Sequence, residues 1–294
     1  SYNISNDDNA VDAALESISS HIQIMKDGLG NTWLPEFGIN NLGDLDFTKG
    51  YKVLMDSEQT IEVSGSPVHP ESRIQLQSGW NMIGYIPQFP APAEVCFADL
   101  GSTLLLAKDM DGNSFIPEFG INTIGNLVPG EAYKLSMAES ASLTYPLVVT
   151  LLAKSKATET SLPVHFNVEG NTGENASLVV PTAANPVFAD GSALKDGDEI
   201  GVFNSDGLCC GASVWEGENL LITMWGDDGM TSVKDGFYAG DTLFFKVWDH
   251  ETELEYRADA QADPMPIVYQ PDQMYVLTGL AGGAGTAVDS RAET

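Results

Sequence analysis

Lys26-Asp27-Gly28-Leu29-Gly30-Asn31-Thr32-Trp33-Leu34-Pro35-Glu36-Phe37-Gly38-Ile39-Asn40 returns 82 positions on as Lys108-Asp109-Met110-Asp111-Gly112-Asn113-Ser114-Phe115-Ile116-Pro117-Glu118-Phe119-Gly120-Ile121-Asn122. The match runs ungapped over thirty residues, carrying Gly43, Leu45, Tyr51, Lys52 and Met55 onto Gly125, Leu127, Tyr133, Lys134 and Met137, and fifteen of the thirty positions are identical. Self-similarity at a fixed spacing marks a chain built from stacked modules. Modules of that kind display or connect, which points to a structural or binding protein rather than to one organised around a catalytic pocket.

Working outward, the second copy is the complete one. Arg73 to Pro87 alternates apolar and polar residues in the manner of a strand. Ala93 to Ser102 reads as a short helix with Val95, Phe97 and Leu100 inward. Leu104–Ala107, Ser114–Ile116 and Tyr133–Met137 read as strands, and Leu143–Leu152 as a further one. The first copy has an N-cap cluster at Asn6-Asp7-Asp8-Asn9, a helix Ala10–Ser19, and strands at His21–Met25, Thr32–Leu34 and Tyr51–Met55. It lacks the opening strand, the counterpart of Ile74 to Ile83. Either upstream sequence has been removed or another segment fills the vacancy.

Near residues 155–161 the composition shifts. Eight short strand patterns follow, at Val164–Val168, Ser177–Val180, Glu199–Phe203, Cys209–Trp215, Leu220–Trp225, Thr242–Trp248, Glu253–Ala258 and Met274–Leu277, separated by Asp/Gly turns. The expected fold is therefore mainly β: two tandem small β-rich modules with one short helix each, then an antiparallel β-sandwich. The expected segments are a first repeat module at 1–66, a second at 67–154, the sandwich at 155–280, and a Gly/Ala-rich tail at 281–294 that is flexible by composition.

The 42 acidic residues against 13 basic ones leave a formal charge of −29, which repels nucleic acid and anionic membranes and attracts divalent cations. No apolar run reaches the roughly 18 residues that a spanning helix needs, so no membrane insertion is expected. Without a signal peptide or initiator Met, Ser1 reads as a mature start or as the start of an expressed piece. Cys96, Cys209 and Cys210 are odd in number and lack metal spacing, and they read as small core residues.

The Gly79-Trp80-Asn81-Met82-Ile83-Gly84-Tyr85 strand, the Lys-Asp-x-x-Gly-Asn turn and the Gly-Ile-Asn-x-Ile-Gly stretch resemble modules repeated in large secreted and surface proteins of Bacteroidota-type bacteria. Gly197-Asp198-Glu199-Ile200-Gly201-Val202-Phe203, with Trp225-Gly226-Asp227-Asp228 and Asp235-Gly236-Phe237, is similar to a β-sandwich module of such proteins. The resemblance implies an extracellular or cell-surface location and modular display, and supplies no catalytic residues.

Three clusters are candidate sites. Asp109, Asp111 and Asn113 around Gly112, with Glu118 beyond, alternate oxygen ligands about a glycine as calcium loops do. A hairpin turn in which Asp and Asn bond their own backbone explains both copies without metal, since Leu29 stands at the counterpart of Asp111. Asp227, Asp228 and Asp235, with Asp196, Asp198 and Glu199 on another turn, form a second calcium candidate beside the reading of solvated loop carboxylates. Trp33, its equivalent Phe115, and Trp225 would stack on sugar rings if exposed, and are core residues otherwise. His21, His69, His165 and His250 sit in no catalytic motif, so no enzyme activity is expected.

The functional expectation is a non-catalytic extracellular structural or adhesive protein that self-associates, or joins other surface proteins, head to tail by strand addition into a filament or surface layer. The tail and Leu143–Leu152 are the candidate donor strands. A carbohydrate-binding module of a larger secreted enzyme or adhesin, with glycans as partners, is the alternative.

Overall fold

The computed structural model describes residues 3–5, 8–62, 64–146, 161–168, 170–283 and 288–289. The chain is mainly β and divides into two compact units, Ser1–Glu118 with Asn122–Thr158, and Phe119–Ile121 with Glu159–Thr294. The first unit carries both copies apart from Phe119–Ile121.

The first copy runs β1 (Ile4–Ser5), α1 (Val11–Ala14), a 3₁₀ segment Glu16–His21, β2 (Ile22–Asp27), β3 (Thr32–Leu34), β4 (Ile39–Asn40) and β5 (Tyr51–Met55). After β6 (Ser66–Pro67), which pairs with β1, the second copy runs β7 (Ile74–Leu76), β8 (Gly79–Gly84), β9 (Ala91–Pro92), α2 (Ala93–Cys96), a 3₁₀ segment Ala98–Thr103, β10 (Leu104–Lys108), β11 (Ser114–Ile116), β12 (Ile121–Asn122), β13 (Asn126–Leu127), β14 (Ala132–Met137) and β15 (Ala141–Leu143). The sequence offset holds element by element, down to the Ala10–Asp44 bridge that stands where β9 pairs with β13.

Each expected helix proves to be one α-turn followed by a 3₁₀ turn. In the second copy this changes which residues face in. Ala93 starts the turn and is buried, so Cys96 and Phe97, three and four positions on, share its buried face, while Val95 is exposed. The sequence had placed Val95 inside.

The second unit is one rolled sheet: β16 (Gly173–Val180), β17 (Glu199–Phe203), β18 (Cys209–Val214), β19 (Leu220–Asp227), β20 (Phe244–Asp249), β21 (Leu254–Ala262), β22 (Met274–Gly282) and β23 (Val288–Asp289). The spatial order is β18-β17-β20-β21-β22-β16-β19, with β23 on β21. The ends approach each other, and Ser213 Oγ donates to the Leu221 carbonyl at 2.8 Å. The enclosed core includes Leu178, Ile200, Val202, Ile222, Phe245 and Val247. The β16–β22 pair is parallel, an exception within an otherwise antiparallel sheet.

The alternation at Val164–Val168 does not make a strand. The amides of Val164, His165 and Phe166 all donate to the buried Glu199 carboxylate, at 2.6 to 2.9 Å, so they turn the same way instead of alternating. Residues 6–7 of the expected N-cap cluster, residues 147–152 of the expected Leu143–Leu152 strand, and 284–287 and 290–294 of the tail lie outside the described residues.

Candidate functional site

The two copies differ at one edge. In the second, the sheet order is β12-β11-β10-β14-β8, and β8 pairs with β14 along its whole length, Gly84 opposite Ala132 through Gly79 opposite Met137. In the first, the order is β4-β3-β2-β5, and among the described residues no strand pairs with the outer edge of β5.

Burial follows the pairing. On β14, Tyr133, Leu135 and Met137 face a core shared with Ile74, Leu76, Tyr85, Leu143 and Tyr145. Their counterparts on β5 are Tyr51, Val53 and Met55. Leu135 is 0% exposed and Val53 40%, while Tyr51 and Met55 are half-buried. The frame of the two copies is nevertheless the same. The Tyr133 hydroxyl accepts the Val128 amide at 2.9 Å, and Tyr51 accepts that of Asp46 at 2.7 Å. A sheet that ends in such a strand among the described residues, above a half-covered apolar face, has the geometry that accepts an added strand.

The second copy already leans on the first at the start of this edge. The Gly50 amide donates to the Met82 carbonyl at 3.0 Å, and that of Gly84 to Thr48 at 3.3 Å. A Cβ on Gly50 would lie 2.7 Å from Met82 Cγ and 2.9 Å from the Ile83 oxygen, and one on Gly28 would lie 2.8 Å from Met82 Cβ. Glycine at both positions lets β8 close in. The contact with β8 thus ends just before Tyr51, where β5 begins.

The Asp109 loop is a self-bonded turn. Asp109 Oδ1 accepts the amides of Asp111 and Asn113, both at 2.9 Å, and Oδ2 accepts the Asn113 side-chain amide at 2.8 Å. Asp27 repeats this with Leu29 and Asn31. Asp111 and Glu118 are exposed. Burial pushes the Asp109 carboxyl up. At Asp27 burial acts the same way but is outweighed by the Asn31 and backbone hydrogen bonds and by Lys49, 3.6 Å away, so that carboxyl is lowered. Glu131 stands where Lys49 would be in the second copy.

In the second candidate cluster, Asp227 accepts the Gly229 and Asp235 amides, Asp228 accepts that of Met230, and Asp235 accepts the Thr231 hydroxyl. Among the described residues, the His, Cys, Asp and Glu groups whose ligand atoms converge within 4.8 Å are Asp198, Asp249 and His250, a set the sequence reading did not assemble. Buried Asp198 takes the His250 ring at 2.8 Å and the Lys195 amide at 2.7 Å. That hydrogen bond and the nearby carboxylates raise the His250 pKa above its ordinary value. Asp198 was visible as one carboxylate of a turn; its partner lies 52 positions away, and no sequence signal joins the two.

Trp33 is 4% exposed and packs in the first copy's core, and Trp225 is buried in the second unit. Neither presents a ring face to a sugar. Phe115 is half-buried and stacks on Phe97 with centroids 6.0 Å apart. His165 stacks on Trp248 and meets Glu255 at 3.1 Å. Cys96, Cys209 and Cys210 are free; burial pushes the first and last thiols up to about 12 and Cys209 to about 11.

No family model, curated protein or solved structure matches this chain.

Proposed function

We propose that this chain is a non-catalytic, modular assembly and adhesion protein of the cell surface or extracellular space, whose first module is completed by a strand added from outside the chain. One observation carries the reading: the strand that pairs with β8 in the second copy is, in the first, the last strand of its sheet among the described residues. The second copy also indicates the chemistry of the partner. A strand of the Gly-Trp-Asn-x-Ile-Gly-Tyr type, entering antiparallel to β5, would supply main-chain hydrogen bonds and cover Tyr51, Val53 and Met55. A donor strand carried elsewhere on a second copy of the chain would propagate such contacts head to tail. The acidic surface, with its excess of 42 acidic over 13 basic residues, favours solubility between assembly events.

The test is titration with a synthetic peptide of residues 73–87, read by calorimetry and hydrogen exchange. Saturable binding that slows exchange in residues 51–55, and is lost when a proline replaces the residue matching Asn81, supports the reading. A peptide that leaves β5 exchange unchanged, together with a chain that stays monomeric at high concentration, refutes it.

A further inference from the structure

The register of β20 against β21 decides which side chains share the outer face of the second unit. Lys246 stands opposite Arg257, and Phe245 opposite Ala258. Phe245 and Val247 lie in the enclosed core, and Ala258 and Ala260 pack against it. By period-two alternation, Phe244 and Lys246 on β20 and Arg257 and Asp259 on β21 therefore point outward together. The same register carries Asp259 to the position across from Phe244, whose other flank is Phe203 on β17. With Met265, these five side chains line a groove of about 550 Å³.

Phe244 is 50% exposed and Met265 57%, so the groove offers open apolar surface, which Trp33 and Trp225 do not. Lys246 is committed: it meets Glu255 at 2.8 Å and lies over the Phe203 ring. Arg257 and Asp259 are exposed, and neither makes an ion pair or a side-chain hydrogen bond among the described residues. Two positions apart on one strand, their Cα atoms stand about 6.6 Å from each other. One side chain can only donate and the other, ionised, can only accept. An anion entering here gains Arg257 but meets Asp259, and a cation meets the reverse. A neutral polyhydroxylated ring uses both, because every hydroxyl donates and accepts, and its C–H face suits an open phenyl ring. Apolar surface with a few polar groups in such a volume is the composition of a small-molecule site.

We infer that this groove binds a neutral pyranose sugar: the ring stacks on Phe244 beside Met265, and its hydroxyls are shared between the Arg257 guanidinium and the Asp259 carboxylate. The inference does not rest on strand addition at β5, and it uses none of the aromatic residues that the sequence singled out.

The test is an amide-resolved NMR titration of the intact chain with the methyl glycosides of glucose, galactose and mannose, and with those of glucuronic acid and glucosamine. At least one neutral glycoside shifts the amides of residues 244–246 and 257–259 saturably, with a Kd on the order of 1 mM. The two charged glycosides each bind about threefold more weakly, since each meets a like charge. Phe244→Ala weakens the neutral sugar about tenfold by removing the stacking surface. Arg257→Gln and Asp259→Asn each weaken it about fivefold, because the hydrogen bonds lose their charge assistance. All three side chains point outward, so the rest of the spectrum is unchanged. Failure of every neutral glycoside to shift these amides, tighter binding of either charged glycoside, or undiminished binding by Phe244→Ala overturns the assignment.

Discussion

Leu135 and Val53 occupy the same repeat position, and truncating each to alanine measures how far the first copy falls short of the second. Leu135 is fully buried beneath β7, β15 and the Tyr85–Tyr145 pair, so Leu135→Ala removes buried atoms and leaves a cavity, at a cost of about 2–5 kcal/mol. Val53 keeps 40% of its surface in water. Its two methyls would be worth about 1.5 kcal/mol if wholly buried, and in this setting Val53→Ala costs about 1 kcal/mol or less. Guanidinium unfolding, followed by hydrogen exchange of the segments 51–55 and 132–137, reads the copies separately, which a single global transition would not. In the wild-type chain, β5 amides exchange faster than β14 amides. With the peptide of residues 73–87 bound, β5 slows, and Val53→Ala weakens the complex about two- to threefold as the remaining surface is buried. Equal costs for the two truncations, or equal exchange of β5 and β14 in the free chain, would refute the claim that β5 is uncovered.

Gly50→Ala forces a Cβ against the Ile83 carbonyl and Ala132, neither of which is a flexible side-chain end, and should destabilise the first unit by about 1–3 kcal/mol in chemical unfolding. The His250 pKa is raised by Asp198, so the pair's contribution is fully present below pH of about 6.5 and is lost as the pH rises through the folded-state value; His250→Gln should remove that slope in melting temperatures measured from about pH 5 to 9, and an unchanged slope would count against the pair. Cys96 and Cys210, with thiols pushed up to about 12, should resist Ellman's reagent near pH 8 in the folded chain and react in guanidinium; prompt labelling of the native protein would contradict their burial.

The duplication was legible because a repeated sequence must solve the same local problems twice. Gly30 and Gly112 both take positive φ to close the Asp27 and Asp109 hairpins, and Tyr51 and Tyr133 bond the same backbone position. Strand positions in the second unit were readable from period-two alternation and Asp/Gly turns. The helices were overextended because an apolar stripe does not reveal that only one α-turn fits before the chain tightens to 3₁₀. Val164–Val168 misled for a related reason: alternation describes side chains, while the Glu199 carboxylate, more than thirty residues on, organises the backbone amides.

Local pattern thus determined the modules, their order and the turns, since each depends on residues a few positions apart. The rolled closure of the second sheet, its parallel β16–β22 pair, the Asp198–His250 pairing and the burial of Trp33 and Trp225 depend on segments brought together from tens of residues away. Such contacts follow from how faces pack and which polar groups are left without partners, and no periodicity along a chain encodes that.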